Sequence, residues 1–209
     1  MALKARWLRF WNAARAAGDP EAPWAALLAC YSEPHRSYHT LRHIQHCLDE
    51  FEPVRSHAED ALSVEMALWY HDAVYDTHAR DNEERSAVLA GKTAVAAGLP
   101  LEFARRVGDL IRVSTHKKSA SDPDGRLFAD VDLAILGQEP PAFAEYERQV
   151  REEYAWVPEP EFRAVRARIL ETFLDRFSVY STPMFVDKYE KQARQNLTAS
   201  ILVLKGGAA

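Results

Sequence analysis

From Ser63 to Tyr75 the chain reads SVEMALWYHDAVY, a run that is strongly apolar and then carries His71 and Asp72 side by side, with Asp76 just beyond. A helix that is apolar on every face belongs inside a packed core rather than on its surface. This segment, read as a helix from about Ala61 to Tyr75, therefore sets the centre around which the rest must pack. It also sets a problem, because charged groups in such surroundings are costly unless they are neutralised. A bound cation removes that cost. Asp132 repeats the pattern between Val131 and Leu133, and Asp130, two residues earlier, is the alternative acidic group there.

Helical periodicity continues on both sides. Trp7, Leu8, Phe10 and Trp11, then Trp24, Leu27 and Leu28, recur at helical spacing and are parted by Gly18-Asp19-Pro20, which gives two opening helices. The segment from His39 to about Phe51 aligns Leu41, Ile44 and Leu48 near one stripe before Pro53 stops it. Asp81 followed by Glu84 reads as a capping pair for the next helix, which Gly98 and Pro100 end. A helix from about Leu101 to His116 leads into SASDPDG, expected to be a flexible loop. RLFADVDLAILG is short enough for a strand, but it lacks β-branched alternation and reads as a core helix. Further helices are expected near Ala142 to Ala155, Glu159 to Phe177 and Pro183 to Leu204. The expected fold class is all-α.

Of the 209 residues, 47% are hydrophobic and 27% charged, the profile of an ordinary globular chain with one compact domain as the default. A core of that size needs neither disulfides nor an obligatory partner, since such a chain buries roughly 70% of its unfolded surface. Cys30 and Cys47 form no CxxC pair, so they are expected as buried free thiols in a reduced, cytoplasmic setting. The N-terminus lacks the continuous apolar stretch and cleavage site of a signal peptide, and no run is long enough to span a bilayer, so no membrane partner is expected. A net charge of −5 disfavours broad attraction to nucleic acid and favours a small substrate.

His39 and His43 are four apart, which on a helix places both side chains on one face, with Cβ atoms about 5 to 6 Å apart. The His-x-x-x-His spacing also occurs in zinc proteases, but Thr40 stands where those enzymes carry their catalytic glutamate. Imidazole and carboxylate donors without thiolate suit a borderline or hard divalent metal, with positions left open for water.

In order and spacing, His43, the pair His71 and Asp72, and Asp132 resemble the metal-binding signature of HD-superfamily proteins. The stretches YSEPHRSYHTLRHI, WYHDAVYD, DNEERSA, DVDLAILG, VREEYAWVP and ARQNL look like the motifs of one group within it, the predicted metal-dependent phosphohydrolases, and together they span nearly the whole chain. The resemblance implies an HD-domain helical bundle with additional N- and C-terminal helices. It implies a single domain over residues 1–209, with a metal-binding core at about 36–137 and C-terminal helices over 138–209 packed on it.

The same resemblance implies His43, His71, Asp72 and Asp132 as ligands to a divalent ion, whether manganese, iron, cobalt, nickel, zinc or magnesium. The activity implied is hydrolysis of a phosphoester or phosphoanhydride of a small metabolite, with a nucleotide favoured, through a metal-activated water. YHTLRH is similar to a segment of cyclic-nucleotide phosphodiesterases whose first histidine protonates the leaving oxygen, so His39 takes that role by analogy. HDAVYD resembles the HDxxED segment of alarmone hydrolases, with Tyr75 in place of the glutamate and Asp76 retained as a base or water-orienting group. His116 and Lys117 are candidates for a second metal or for phosphate, and Arg36 and Arg42 for anionic oxygen. His46, His57 and His78 are read as structural or surface residues. Two other activities are alternatives: a di-iron oxygenase on the same fold, which needs additional histidines for which only His78 and His116 are available, and a nucleotide-binding sensor without turnover.

Overall fold

The structure is a computed structural model that describes residues 3–116 and 120–206. Ten α-helices are present among the described residues, with no strand: α1 (Leu3–Ala13), α2 (Glu21–Cys30), α3 (Leu41–Phe51), α4 (Ala61–Tyr70), α5 (Asn82–Ala96), α6 (Leu101–Val113), α7 (Pro123–Asp132), α8 (Pro140–Glu153), α9 (Glu159–Leu174) and α10 (Pro183–Leu204). Two 3₁₀ turns, Glu52–His57 and Leu133–Gly137, follow α3 and α7. None of these helices is long and apolar enough to cross a membrane. The chain divides into two compact units, Met1–Asp132 and Leu133–Ala209.

In the first unit α4 is the hub, touching α1, α3, α5, α6 and α7. Every residue from Ser63 to Tyr70 is buried, as expected of a helix with no polar face. Asp60 starts it by accepting the Ser63 N–H at 3.0 Å. Trp69 is fully buried, and Trp7 and Trp24 meet its ring edge-on at centroid distances of 5.6 and 6.2 Å. The one carboxylate inside the helix, Glu65, is neutralised by Arg55. By contrast α3 is amphipathic: His43, Ile44, Cys47, Leu48 and Phe51 are buried, while Arg42, Gln45 and Asp49 are exposed.

Several boundaries differ from the sequence expectation. Helix α4 stops at Tyr70 rather than Tyr75, because the polar groups of the following turn find partners elsewhere: Arg36 takes the carbonyls of Asp72 and Ala73, and the Ser86 hydroxyl takes the Val74 N–H at 3.0 Å. Helix α3 starts at Leu41, since Thr40 is extended (φ −116°, ψ 179°) and caps the helix through Arg42 N, so His39 lies outside it. Asp81 occupies the N-cap of α5 without a side-chain cap bond. In the expected loop SASDPDG, Pro123 to Gly125 already belong to α7. Asp122 accepts the Gly125 N–H at 3.0 Å, and buried Asp124 accepts the N–H groups of Glu59 and Asp60 at 2.7 and 3.0 Å. The core helix read over RLFADVDLAILG keeps α-geometry only to Asp132 and then tightens into the 3₁₀ turn.

In the second unit α10 packs on α9 and on the 3₁₀ turn Leu133–Gly137. The close approach needs glycine at 137, where a Cβ would stand 2.5 Å from that of Tyr189. The ARQNL segment, whose role the sequence left open, holds this unit together. Arg194 donates to the carbonyls of Leu174, Arg176 and Phe177 at the end of α9, which stops there rather than at Phe177. Asn196 Nδ2 donates to the carbonyls of Leu136 and Gln138 at 2.9 and 2.8 Å.

Candidate metal centre

Three elements of the first unit deliver side chains to one buried point. The inner face of α3 presents His43; the last turn of α4 ends in His71 as its C-cap, with Asp72 next in the turn; and Asp132 is the final residue of α7. His43, Cys47, His71 and Asp132 each offer a donor atom, all within 4.8 Å of one another, a grouping able to hold a metal ion. Asp72 faces the same point.

The separations can be tested against coordination geometry. The two Nε2 atoms of His43 and His71 are 3.0 Å apart. Asp72 Oδ2 lies 3.4 and 3.1 Å from them, and Asp132 Oδ1 lies 3.2 and 3.3 Å from them. Donors about 2.1 Å from a common ion stand about 3.0 Å apart at right angles and about 3.4 Å apart at the tetrahedral angle. All five distances fall in that interval, so the donor set fits a divalent cation.

Cys47 fits less well than Asp72. One turn after His43 on α3, its Sγ is 3.7 Å from both Nδ1 and Nε2 of that ring. Equal distances place the sulfur on the plane that bisects the two nitrogens, whereas the Nε2 lone pair points away from that plane. An ion on that lone pair would stand off this thiol as it is placed, and Asp72 offers the nearer oxygen. The sequence reading took Cys47 only as a buried thiol; its spacing of four from His43 on one helix was the available sign of its closeness.

The imidazole of His71 is oriented from behind. Its Nδ1 lies 3.0 Å from the Leu68 carbonyl, an acceptor only, so Nδ1 carries hydrogen and Nε2 faces the cluster. Burial works against an imidazolium here, but Asp72 and Asp132 outweigh it and hold the His71 pKa well above the ordinary histidine value. For His43 burial opposes in the same way and is outweighed by Cys47, Tyr38 and the two carboxylates. Burial would raise Asp72 and Asp132, yet His71 and the neighbouring histidines keep both well below the usual carboxylate range. The two carboxylates thus favour positive charge between them, which a divalent cation would supply while leaving both imidazoles neutral.

Around these donors the other expected site residues take distinct places. His116 has a left-handed backbone (φ 51°), uncommon for a side-chain-bearing residue, and donates from Nε2 to Asp132 Oδ2 at 2.9 Å while Oδ1 faces the cluster. His39 is half-buried, its ring centroid 5.9 Å from that of His43 and stacked on Tyr75 at 4.2 Å. Tyr38, which the sequence reading passed over, has its ring 4.8 Å from His43. Arg42 is exposed on the first turn of α3. Lys117 lies outside the described residues.

Two expectations change. Asp76 is exposed, and its carboxylate accepts the His78 N–H at 2.9 Å while its backbone pairs with Asn82, so it is engaged in closing a loop. Arg36 has a fully buried guanidinium whose N–H groups are all taken by Glu33 and by three backbone carbonyls, leaving none for an anionic ligand. No family model matches the chain, and no curated protein or solved structure matches it either.

Proposed function

We propose that the chain is an HD-superfamily, metal-dependent phosphohydrolase in which His43, His71, Asp72 and Asp132 hold one divalent ion. The observation that carries this reading is the set of separations of 3.0 to 3.4 Å among donors delivered by α3, by the end of α4 and the turn after it, and by α7. The order histidine, histidine-aspartate, aspartate along the chain supports the HD type, as the motif resemblance implies. When bound, such an ion lowers the pKa of a coordinated water from 15.7 toward about 7 and polarises a phosphoryl oxygen.

The chain's own residues do the rest. With an ion in place, His71 and His43 would present neutral Nε2 lone pairs, with His71 locked by Leu68. His116 aims the Asp132 carboxylate. His39, outside the donor set but beside it, protonates the departing oxygen, a contribution of roughly 10² to 10⁴ in rate for a well-placed general acid. The substrate class is a small phosphorylated metabolite, with a nucleotide favoured by the resemblance.

The test is phosphate release from a panel of phosphomonoesters, nucleotides and cyclic nucleotides. The protein is first stripped with chelator and then reloaded singly with manganese, iron, cobalt, nickel, zinc or magnesium. Turnover by the reloaded wild type and none by His71→Ala is the expected result; a fully metal-loaded protein inert on every compound would refute the reading. A di-iron oxygenase is the second reading, favoured by Asp132, whose two oxygens face different histidines. Two irons per chain would promote it.

A further inference from the structure

Arg36 lies between the segment that leads into α3 and the turn that leaves α4. Its side chain is fully buried. Nε and Nη2 each meet Glu33 Oε2 at 2.9 Å; Nη2 also donates to the Ala73 carbonyl at 3.1 Å. Nη1 donates to the carbonyls of His39 and Asp72 at 3.0 and 2.7 Å. Its five N–H groups are thereby accounted for. The rings of Tyr31 and Tyr75 pack against the guanidinium, at 5.2 and 5.4 Å from centroid to Cζ.

The groups it holds are those that set the metal centre. The carbonyls of Asp72 and Ala73 follow the C-terminal end of α4, where backbone acceptors lack intrahelical donors and a cation is favoured. Asp72 is outside the helix, so the direction of its carboxylate depends on how this turn is pinned. His39 immediately precedes Thr40, the N-cap of α3, the helix that carries His43. One guanidinium thus ties the histidine-bearing side of the centre to the aspartate-bearing side.

We infer that Arg36 is a positioning residue for the metal centre, fixing the Asp72 turn and the His39–Thr40 segment against each other so that Asp72 and His43 converge on one ion. This rests on the metal-centre reading proposed above. A lysine cannot substitute, because three donors on a flexible stem do not span acceptors on three segments as a planar fork does.

The experiment is titration of the metal-stripped full chain with cobalt(II), read as affinity by chelator competition and as the absorption spectrum of the bound ion. Folding is checked by circular dichroism. Arg36→Lys is expected to bind about 10- to 100-fold more weakly than wild type, the loss typical of outer partners of metal ligands, and with an altered spectrum. A residue that only supported the fold would lower the melting temperature and leave the spectrum alone. Folded Arg36→Lys with wild-type affinity and spectrum overturns the inference while the metal centre stands. Should Arg36→Lys fail to fold, Glu33→Ala, which removes a partly exposed partner, decides: a smaller loss in the same direction supports the inference and no change overturns it. A wild type that binds no cobalt overturns both this inference and the proposed function.

Discussion

Nε2 of His43 and Nε2 of His71 stand 3.0 Å apart, although 28 residues separate them in the chain. At most one hydrogen fits between two such nitrogens, and both rings are buried, so their remaining charge must be met by Asp72 and Asp132 or by a shared cation. This one contact links the packing of α3 against α4 to the chemistry proposed for the site.

Removing one ring of that pair should remove metal-dependent stabilisation. A ligand that binds only the folded state adds about 2.7 kcal/mol at a hundredfold excess over Kd, and for a chain of this size that corresponds to a rise of roughly 5 to 10 °C in Tm. Differential scanning fluorimetry with and without zinc or manganese is expected to show that rise in wild type and none in His71→Ala. An equal rise in the variant would place the ion elsewhere.

His39→Ala separates chemistry from binding. Because His39 lies beside the donor set and not in it, the variant should retain the metal-dependent rise in Tm while phosphate release falls by about 10² to 10⁴. Loss of both together would make His39 part of the metal's hold; loss of neither would remove its proposed role as acid.

The metal-free protein has a pH signature whose sign follows from the directions of the shifts. His43 and His71 are raised in the folded state, so their contribution is full below the unfolded value of about 6.5 and is lost as pH rises through the folded values. Asp72 and Asp132 are lowered, so theirs is full above about 3.9 and is lost as pH falls toward the folded values. Stability in chelator is expected to peak between about pH 4 and 6.5 and to decline on the alkaline side. Metal affinity should rise with pH over the same alkaline range, since binding displaces the imidazolium protons. Melting curves from pH 5 to 9, with chelator and with metal, check both; a metal-free Tm that climbs from pH 6 to 9 contradicts the assignment.

Asn196 offers a test in the second unit. Its Nδ2 serves two carbonyls, and an unsatisfied buried acceptor costs about 1 to 3 kcal/mol, so Asn196→Ala should lower stability by at least that much in urea titration. A change under about 0.5 kcal/mol would show that other donors reach Leu136 and Gln138.

The spacing of apolar residues and the breakers between them were enough to foresee an all-helical chain, down to the ends of α10 at Pro183 and Leu204. The resemblance to the HD signature singled out His43, His71, Asp72 and Asp132, and His43, His71 and Asp132 lie in a group able to hold a metal ion. Local sequence could not say where α4 ends. That depends on Arg36, 36 residues away from Asp72, taking over carbonyls that an ongoing helix would have used. Nor could it turn DPDG from an exposed loop into a helix start, which depends on Asp124 reaching the backbone of Glu59 and Asp60, more than sixty residues distant.

The side-chain roles divide the same way. Arg36 and Asp76 look like ligand-facing residues when only their types and neighbours are visible, and the folded chain makes one a buried tie and the other a loop closure. The sequence determined which elements form and which donor types exist, because periodicity and residue chemistry act within a few residues. Which oxygen meets which nitrogen, and which cation is already satisfied, was decided by tertiary structure alone, since hydrogen bonds and burial are settled between segments that only folding brings together.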